Sequence, residues 1–173
     1  MNGYPGILSD LPSQALQPLT QMMIETELPK DSILFKQRDE AASMFILKSG
    51  RLQVVVGKFG TPAERNVLAN IEPGQSVGEF SVIDGLPRSA TVIAIEDSVL
   101  LSLTTAAFKD LITNNLEVAR AIIDNLCRLI LNQPGLVIRS EKLELIKTKN
   151  LSPSLQNMKL LCAIIRESNK QLS

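Results

Sequence analysis

Residues 78–92, GEFSVIDGLPRSATV, decide how the rest of this chain is interpreted. They place a carboxylate, an arginine and a hydroxyl among glycines, with β-like sequence on both sides. Arg88 offers a rigid fork of N–H donors that matches phosphate oxygens, and Gly78 leaves room for a ligand beside the backbone. Because two anions at hydrogen-bond distance repel each other, Glu79 is better suited to accept hydroxyl protons, such as those of a ribose. The stretch therefore predicts a pocket for a small sugar phosphate.

The same residues resemble a known family. Residues 78–81 followed by residues 87–91 are similar to the phosphate-binding cassette of cyclic-nucleotide-binding domains. Those domains occur in bacterial catabolite activator proteins, in regulatory subunits of cAMP-dependent protein kinase and in cyclic-nucleotide-gated channels. The resemblance extends upstream through residues 33–35, 44–47, Gly50 and 73–74, and downstream to about Ile130. Each residue alone is explained by ordinary surface or turn chemistry, but their ordered combination is not.

The resemblance implies a role for each cassette residue. Glu79 would bind the ribose 2'-hydroxyl, Arg88 the cyclic phosphate, and Ser89 and Ala90 further phosphate oxygens through a hydroxyl and a backbone N–H. A short helix beginning near Glu79 would add its N-terminal amides to the anion site. The expected ligand is cAMP, with cGMP as the alternative because a hydroxyl at Ser89 can reach phosphate or a guanine amino group. The complete set of expected binding residues is Gly78, Glu79, Phe80, Ser81, Arg88, Ser89 and Ala90.

Composition narrows the class of protein. The 173 residues include 18 Lys plus Arg and 18 Asp plus Glu, so no net basic charge favours nucleic acid. The first residues lack the pattern of a secretory signal, and no apolar run has the length of a membrane helix, so we expect a cytoplasmic protein. Cys127 and Cys162 lie among apolar, helix-like residues and are expected to be reduced core thiols.

The sequence carries few of the residues and motifs that catalysis usually requires. The chain has no histidine, which a general base near neutral pH or a common zinc site usually recruits. It also lacks a nucleophile elbow, a Walker loop and a paired-carboxylate arrangement. We therefore expect no catalytic residues, no metal site and no cofactor apart from the nucleotide ligand.

The β region begins near Ile33. Short apolar or alternating runs are separated by turns up to Leu103, and many short strands without intervening helices indicate a barrel or sandwich. The clearest runs are residues 44–47, 52–56, 67–71, 91–95 and 99–103. The family's version is an eight-stranded jelly-roll-like β-roll, or double-stranded β-helix, so the expected fold class is mainly β with flanking helices. The expected organisation is an N-terminal helical segment (1–30), a cyclic-nucleotide-binding β-roll with following helices (31–133) and a C-terminal helical extension (134–173).

Helices are predicted on both sides of this region. Residues 11–23 carry an apolar stripe at helical spacing, but Pro18 predicts a short or broken helix. After the strands, Thr104 or Thr105 can cap a helix that ends near Thr113.

A second C-terminal helix fits residues 116–131, and Pro134-Gly135 is expected to end it. Its broad apolar face can pack in the core; by resemblance, this helix can also cover the nucleotide base or form a dimer seam. Ser152-Pro153 is expected to supply the cap and first-turn proline of one more amphipathic helix. The charges of residues 139–149 alternate in sign, which indicates a solvated face and not a DNA-binding patch.

Two positions depart from the family pattern. Asp31 and Arg38 stand where glycines are usual in early β-turns, and arginine tolerates a positive φ poorly. We therefore expect the first β-hairpin to be reshaped.

The sequence thus favours a non-catalytic cyclic-nucleotide sensor, which a homodimer contact or a protein partner would read through the C-terminal helices. Removing Arg88 is expected to weaken binding by about 1.5 to 3 kcal/mol while leaving the fold intact. Two alternatives stay open: a ligand-free protein-interaction module with a degenerate fold of this family, and the effector-domain remnant of a transcription regulator. Membrane partners are not expected, and DNA binding by this chain alone is disfavoured.

Overall fold

The structure is a computed structural model that describes residues 6–57, 64–132 and 151–172. It divides into two compact units. One comprises residues 22–105, and the other combines the segment up to residue 21 with the segment from residue 106 onward. Strands dominate the first unit and helices the second, and we describe each by itself.

The β unit consists, within the described residues, of two antiparallel four-stranded sheets. One sheet has the strand order β1-β8-β3-β6 and the other β2-β7-β4-β5. A short helix, α2 (Glu79–Asp84), lies in sequence between β6 and β7. The eight strands confirm the predicted β-roll class. Their bounds are β1 (Ile24–Leu28), β2 (Ile33–Phe35), β3 (Ser43–Ser49), β4 (Leu52–Val56), β5 (Asn66–Ile71), β6 (Ser76–Val77), β7 (Thr91–Ala94) and β8 (Ser98–Thr104).

The core of this unit explains the strand patterns. In β3, half-buried Phe45 separates buried Met44 from buried Ile46, as expected of a strand with one face on a core, and Leu47 is buried as well. The buried residues of β4 are Leu52 and Val55. All four residues of β7 are buried because this strand lies between β2 and β4 in its sheet. The fully or nearly fully buried cluster is formed by Leu47, Leu52, Val77, Val92, Ala94 and Leu100. Because β6 and β7 both contribute to this cluster, the core anchors both ends of the cassette.

Residues 24–28 form a strand, although they fall in the segment predicted to be helical. The pattern Ile-Glu-Thr-Glu-Leu alternates in the way typical of a strand, and β1 pairs with β8 from Ile24↔Ser102 to Leu28↔Ser98. The N-terminal helix therefore ends earlier than residue 30.

The turns at Asp31 and Arg38 keep the conformation that glycine would adopt. Their φ angles are 65° and 76°, so the non-glycine side chains accept the left-handed region. Hydrogen bonds hold the first turn, with Asp31 N–H donating to the Ala94 carbonyl (2.8 Å) and Ala94 N–H to the Ser32 carbonyl (2.9 Å). The expected reshaping of the first hairpin stays a prediction; the pairing of β2 with β7 does shift register between Ile33 and Phe35.

The helical unit begins with a 3₁₀ turn, Gly6–Leu8, and contains α1 (Ser13–Met22), α3 (Thr105–Asn114), α4 (Leu116–Leu131) and α5 (Leu155–Leu172). Helix α1 has ten residues and is continuous through Pro18, so the helix is short, as expected, and not broken. Pro18 removes the hydrogen bond to the Gln14 carbonyl, but both residues are exposed, so water can satisfy that carbonyl.

Helix α4 confirms the predicted bounds and apolar face. The Asn115 side chain caps it by accepting a hydrogen bond from the Val118 N–H (3.1 Å). Buried Asn125 donates through Nδ2 to the carbonyls of Ile7 (3.1 Å) and Ser9 (2.7 Å), which fastens the 3₁₀ turn to this helix. The helix ends at Leu131, and the predicted stop at Pro134-Gly135 lies outside the described residues, as do residues 139–149.

Helix α5 packs on α4 through Met158, Leu161, Cys162 and Ile165, but its cap differs from the prediction. Ser154 is the capping residue: its Oγ accepts from the Asn157 N–H (3.2 Å). Ser152 instead accepts from Asn157 Nδ2 at both its carbonyl and its hydroxyl, each at 2.9 Å. The helix therefore begins at Leu155, two residues after Pro153.

Cys127 and Cys162 are both buried, as expected of core residues, and they are not joined in a disulfide. Among the described helices, none has both the length and the apolar character needed to cross a membrane.

Candidate nucleotide-binding site

The cassette connects the two sheets of the β unit. It begins where β6 ends at Val77, and it finishes where β7 begins at Thr91. Gly78 caps the start of α2 with φ 81°, and Gly85 ends that helix with φ 72° and an N–H bond to the Ser81 carbonyl (3.0 Å). Both glycines adopt the left-handed conformation that other residues rarely take, so the two turns fix the position of the helix between them.

Arg88 is the best-buried charged side chain of the cassette, with 5% of its surface exposed. Its Nη1 donates to the Gly78 carbonyl (2.9 Å), and its Nη2 donates to the carbonyl of Ser43 at the start of β3. The Phe35 ring of β2 covers one face of the guanidinium, with Cζ 4.0 Å from the ring centroid. The guanidinium therefore contacts both sheets and the cap of α2.

The Gly78 backbone approaches this guanidinium closely. A Cβ at this position would lie 2.5 Å from Arg88 Nη1. Glycine is therefore needed at position 78 for two reasons: the φ is positive, and the arginine occupies the space that a Cβ would need.

Backbone hydrogen bonds tie Arg88 to the turn after β2. The Arg38 N–H donates to the Arg88 carbonyl, and the Arg88 N–H donates to the Asp39 carbonyl, both at 2.8 Å. The Asp39 side chain in turn accepts from the Lys36 N–H (2.9 Å). These bonds fix the main chain at Arg88 independently of its side chain.

Glu79 lies half-buried near the guanidinium. Burial raises the pKa of its carboxyl above the ordinary value, and opposing effects from its own backbone N–H, Arg88 and the Ser76 hydroxyl do not cancel that shift. Burial also lowers the pKa of the Arg88 guanidinium, which the Asp39 and Glu79 carboxylates partly oppose. A guanidinium remains protonated at physiological pH, so the site keeps its positive charge.

The charges of Glu79 and Arg88 attract each other, but the two side chains do not form a direct ion pair. The ion pairs between described side chains join other residues, all of them exposed. Arg88 Nε is also buried, and no described residue accepts a hydrogen bond from it. The cassette thus combines a buried cation with a donor that has no acceptor within residues 6–57, 64–132 and 151–172.

The other predicted binding residues occupy different environments. Ala90 is buried, Phe80 is half-buried and the Ser89 side chain is exposed. Ser81 is buried, and its hydroxyl donates to the Pro87 carbonyl (3.4 Å), so this contact braces the loop. The structure therefore brings Gly78, Glu79 and Arg88 together, while Ser81 supports the backbone around them.

Three contributors to the site were not predicted. Phe35, Ser43 and Asp39 hold Arg88 through a ring face, a carbonyl and a charge. The only signal for Phe35 was its place in the run Ile33-Leu34-Phe35, which reads equally well as core. Ser43 contributes its backbone carbonyl, which every residue has, so the sequence carries no signal for this role.

These contacts add a stability cost to the removal of Arg88, while its effect on the fold stays a prediction. A variant without this side chain would leave the Gly78 and Ser43 carbonyls short of a donor and would open a space beside Phe35. We therefore expect its loss to affect the stability of the fold as well as any bound anion.

Comparisons with known proteins find relatives of similar sequence and similar fold. The Pycsar effector protein of Xanthomonas perforans is 34% identical over 113 residues, covering 64% of this chain and 35% of that protein. The regulatory domain of Toxoplasma gondii PKA, co-crystallised with cAMP, has a TM-score of 0.58 at 21% identity, covering 72% of this chain and 46% of that one. An EAL enzyme in its cAMP-bound form has a TM-score of 0.50 at 26% identity, covering 73% of this chain and 31% of that one.

The chain spans between 17% and 35% of the length of the curated relatives it matches. The sequence model of the family described as the cyclic nucleotide-binding domain matches residues 25–115, which is slightly more than half of the chain. That match includes all eight strands except the first residue of β1, together with the whole cassette. The chain belongs to the cyclic nucleotide-binding domain family.

Proposed function

We propose that this chain is a non-catalytic regulatory module that binds a cyclic nucleotide in the cassette between Gly78 and Ala90. The preferred ligand is cAMP, with cGMP as the alternative. Family membership supports a nucleotide ligand, and the cAMP-bound EAL enzyme, at 26% identity, supports cAMP.

The observation that carries the proposal is the buried Arg88 guanidinium, which is near the Asp39 and Glu79 charges but in no direct ion pair among the described residues. The guanidinium is buried against two neutral carbonyls and a ring. Burying a cation without a direct ion pair is costly, and an anionic ligand would relieve that cost. The Nε–H, which has no acceptor among the described residues, supplies a donor for a phosphate oxygen.

Glu79 fits the opposite end of a nucleotide. As a carboxylate it accepts hydrogen bonds only, so it suits the ribose 2'-hydroxyl and would repel the phosphate. Glu79 is half-buried, so its carboxylate has lost part of its water. A ribose hydroxyl bound to it would replace that water as a hydrogen-bond donor. In this assignment Arg88 selects the phosphate and Glu79 selects the ribose.

A regulatory role would follow from differential binding. A ligand shifts a conformational equilibrium only as far as it binds one state better than another. A second copy of the chain, or a protein partner in the cytoplasm, would then distinguish the liganded state.

Isothermal titration with cAMP and then cGMP tests the proposal, after confirming that the purified chain carries no nucleotide. We expect saturable binding of one nucleotide per chain, and the two affinities rank the bases. Glu79→Ala should weaken cAMP more than it weakens 2'-deoxy-cAMP, because only the first ligand has the hydroxyl. Absence of heat and of any shift in melting temperature would contradict the proposal.

A ligand-free interaction module is the second candidate. One observation supports this second candidate: Arg88 donates to two backbone carbonyls, as a purely structural arginine would also do. Exposed apolar side chains such as Leu68 (55% exposed) and Leu116 (71% exposed) suit protein contacts. A stable complex with another protein, together with a melting temperature that no cyclic nucleotide changes, would support this candidate.

A further inference from the structure

We propose that Phe35 is a positioning residue for the nucleotide phosphate, acting through the Arg88 guanidinium. The ring would hold the guanidinium in its binding orientation before the ligand arrives. This inference rests on the proposed function, since it concerns how the same site recognises its anion.

The guanidinium is held from three directions. The Gly78 and Ser43 carbonyls accept from its two terminal nitrogens, so they define its position within its own plane. The Phe35 ring covers a face of that plane, with Arg88 Cζ 4.0 Å from the ring centroid. Two in-plane contacts alone would still allow the plane to tilt, and the ring face removes that freedom. The donor left over is Nε–H, which is buried and has no acceptor among the described residues.

Pre-organisation gives this contact a functional consequence. An arginine side chain has many rotamers, and fixing them during binding weakens affinity. A cation over an aromatic face at this distance is attracted to the ring, more strongly when both are removed from water. Because Arg88 is buried and Phe35 half-buried, the contact belongs to the desolvated class.

Phe45 provides a matched control on the neighbouring sheet. Its ring stacks on that of Phe35, with centroids 6.1 Å apart and planes at 28°, and both rings pack on the same core cluster. Among the described aromatic rings, only Phe35 covers the Arg88 guanidinium. Loss of either ring disturbs the aromatic pair and the core, but only loss of Phe35 releases the guanidinium.

The test compares Phe35→Leu, Phe45→Leu and Phe35→Tyr by titration with cAMP, at a temperature where urea denaturation shows each variant to be folded. We expect Phe35→Leu to weaken cAMP binding about 3- to 30-fold, a range that extends from the strength of an exposed cation–π contact to that of a desolvated one. Phe45→Leu should change the affinity less than about twofold, and Phe35→Tyr, which keeps the ring face, should retain it. Equal weakening by both leucine variants, or an unchanged affinity in Phe35→Leu, would overturn the inference.

A second measurement separates this inference from the proposed function. In ¹⁵N/¹³C-labelled protein without nucleotide, the ring current of Phe35 should shift the side-chain resonances of Arg88. Phe35→Leu should remove that shift, whereas Phe45→Leu should preserve it. If wild-type chain binds no nucleotide, the proposed function fails while this measurement still tests the contact. If Phe35→Leu leaves the Arg88 resonances in place, the contact itself is refuted.

Discussion

Removing the Arg88 side chain should destabilise the fold measurably even when no nucleotide is present. In Arg88→Ala, the Gly78 and Ser43 carbonyls each lose a charge-assisted hydrogen bond, and the Phe35 ring loses the cation on its face. The backbone bonds of residue 88 to Arg38 and Asp39 should remain, because they do not involve the side chain. The damage is therefore confined to the guanidinium's own contacts.

The magnitude follows from those contacts. Two hydrogen bonds from a charged donor contribute about 1.5 to 3 kcal/mol each. Relief from burying a cation without a direct ion pair and entry of water into the vacated space offset part of that loss. We therefore expect the free energy of unfolding to fall by about 3 kcal/mol, which a typical domain tolerates without unfolding.

Urea denaturation of wild-type and variant protein, with linear extrapolation to water, measures this loss. Arg38→Ala is the control, since it removes an exposed arginine whose backbone, and not its side chain, contacts residue 88. The control should stay within about 0.5 kcal/mol of wild type. A loss below about 1 kcal/mol in Arg88→Ala would refute the claim that the guanidinium supports the cassette.

Three further predictions concern the same unit. Gly78→Ala should lower the free energy of unfolding, measured by urea denaturation, by about 2 kcal/mol or more, and it should weaken cAMP binding. The reason is that residue 78 has a φ of 81° and that a Cβ there would meet Arg88. A variant as stable as wild type would contradict the close approach. Burial raises the pKa of Glu79 above 4.5 in the folded chain, so its carboxyl stabilises the fold most below that pH and loses this contribution as the pH rises through the folded-state value. In urea denaturation, the free energy of unfolding of Glu79→Gln should therefore equal that of wild type near about pH 4 and exceed it near about pH 7. If the variant differed from wild type by the same amount at both pH values, the result would be inconsistent with the raised pKa. Arg38→Gly should raise the melting temperature by relieving a positive φ worth about 1 kcal/mol, and a lower melting temperature would show that this turn is not strained.

Much of the β unit could be predicted because its patterns depend on neighbours in the sequence. The run 52–56 forms β4, and residues 116–131 form α4, because periodicity and capping act over a few residues. The grouping of Gly78, Glu79 and Arg88 was also predictable, since one short segment carries all three.

Other features depend on contacts between distant segments. The stacking of Phe35 on Arg88 joins residues 53 positions apart, and nothing in the run Ile33-Leu34-Phe35 distinguishes it from a core position. The positive φ of Arg38 accompanies a hydrogen bond from its N–H to the carbonyl of the distant Arg88, a contact that local preference does not reveal. Strand β1 could have been found from its alternation, whereas β6, with two residues, is too short for any periodic signal.

The most direct test of the central claim follows the backbone amide signals of ¹⁵N-labelled chain during titration with cAMP. If the cassette binds the nucleotide, saturable shifts should concentrate at Gly78, Glu79, Ser89 and Ala90, and they should be abolished in Arg88→Ala protein that is still folded. Absence of shifts at saturating cAMP, or shifts that leave these four residues unchanged, would contradict the account.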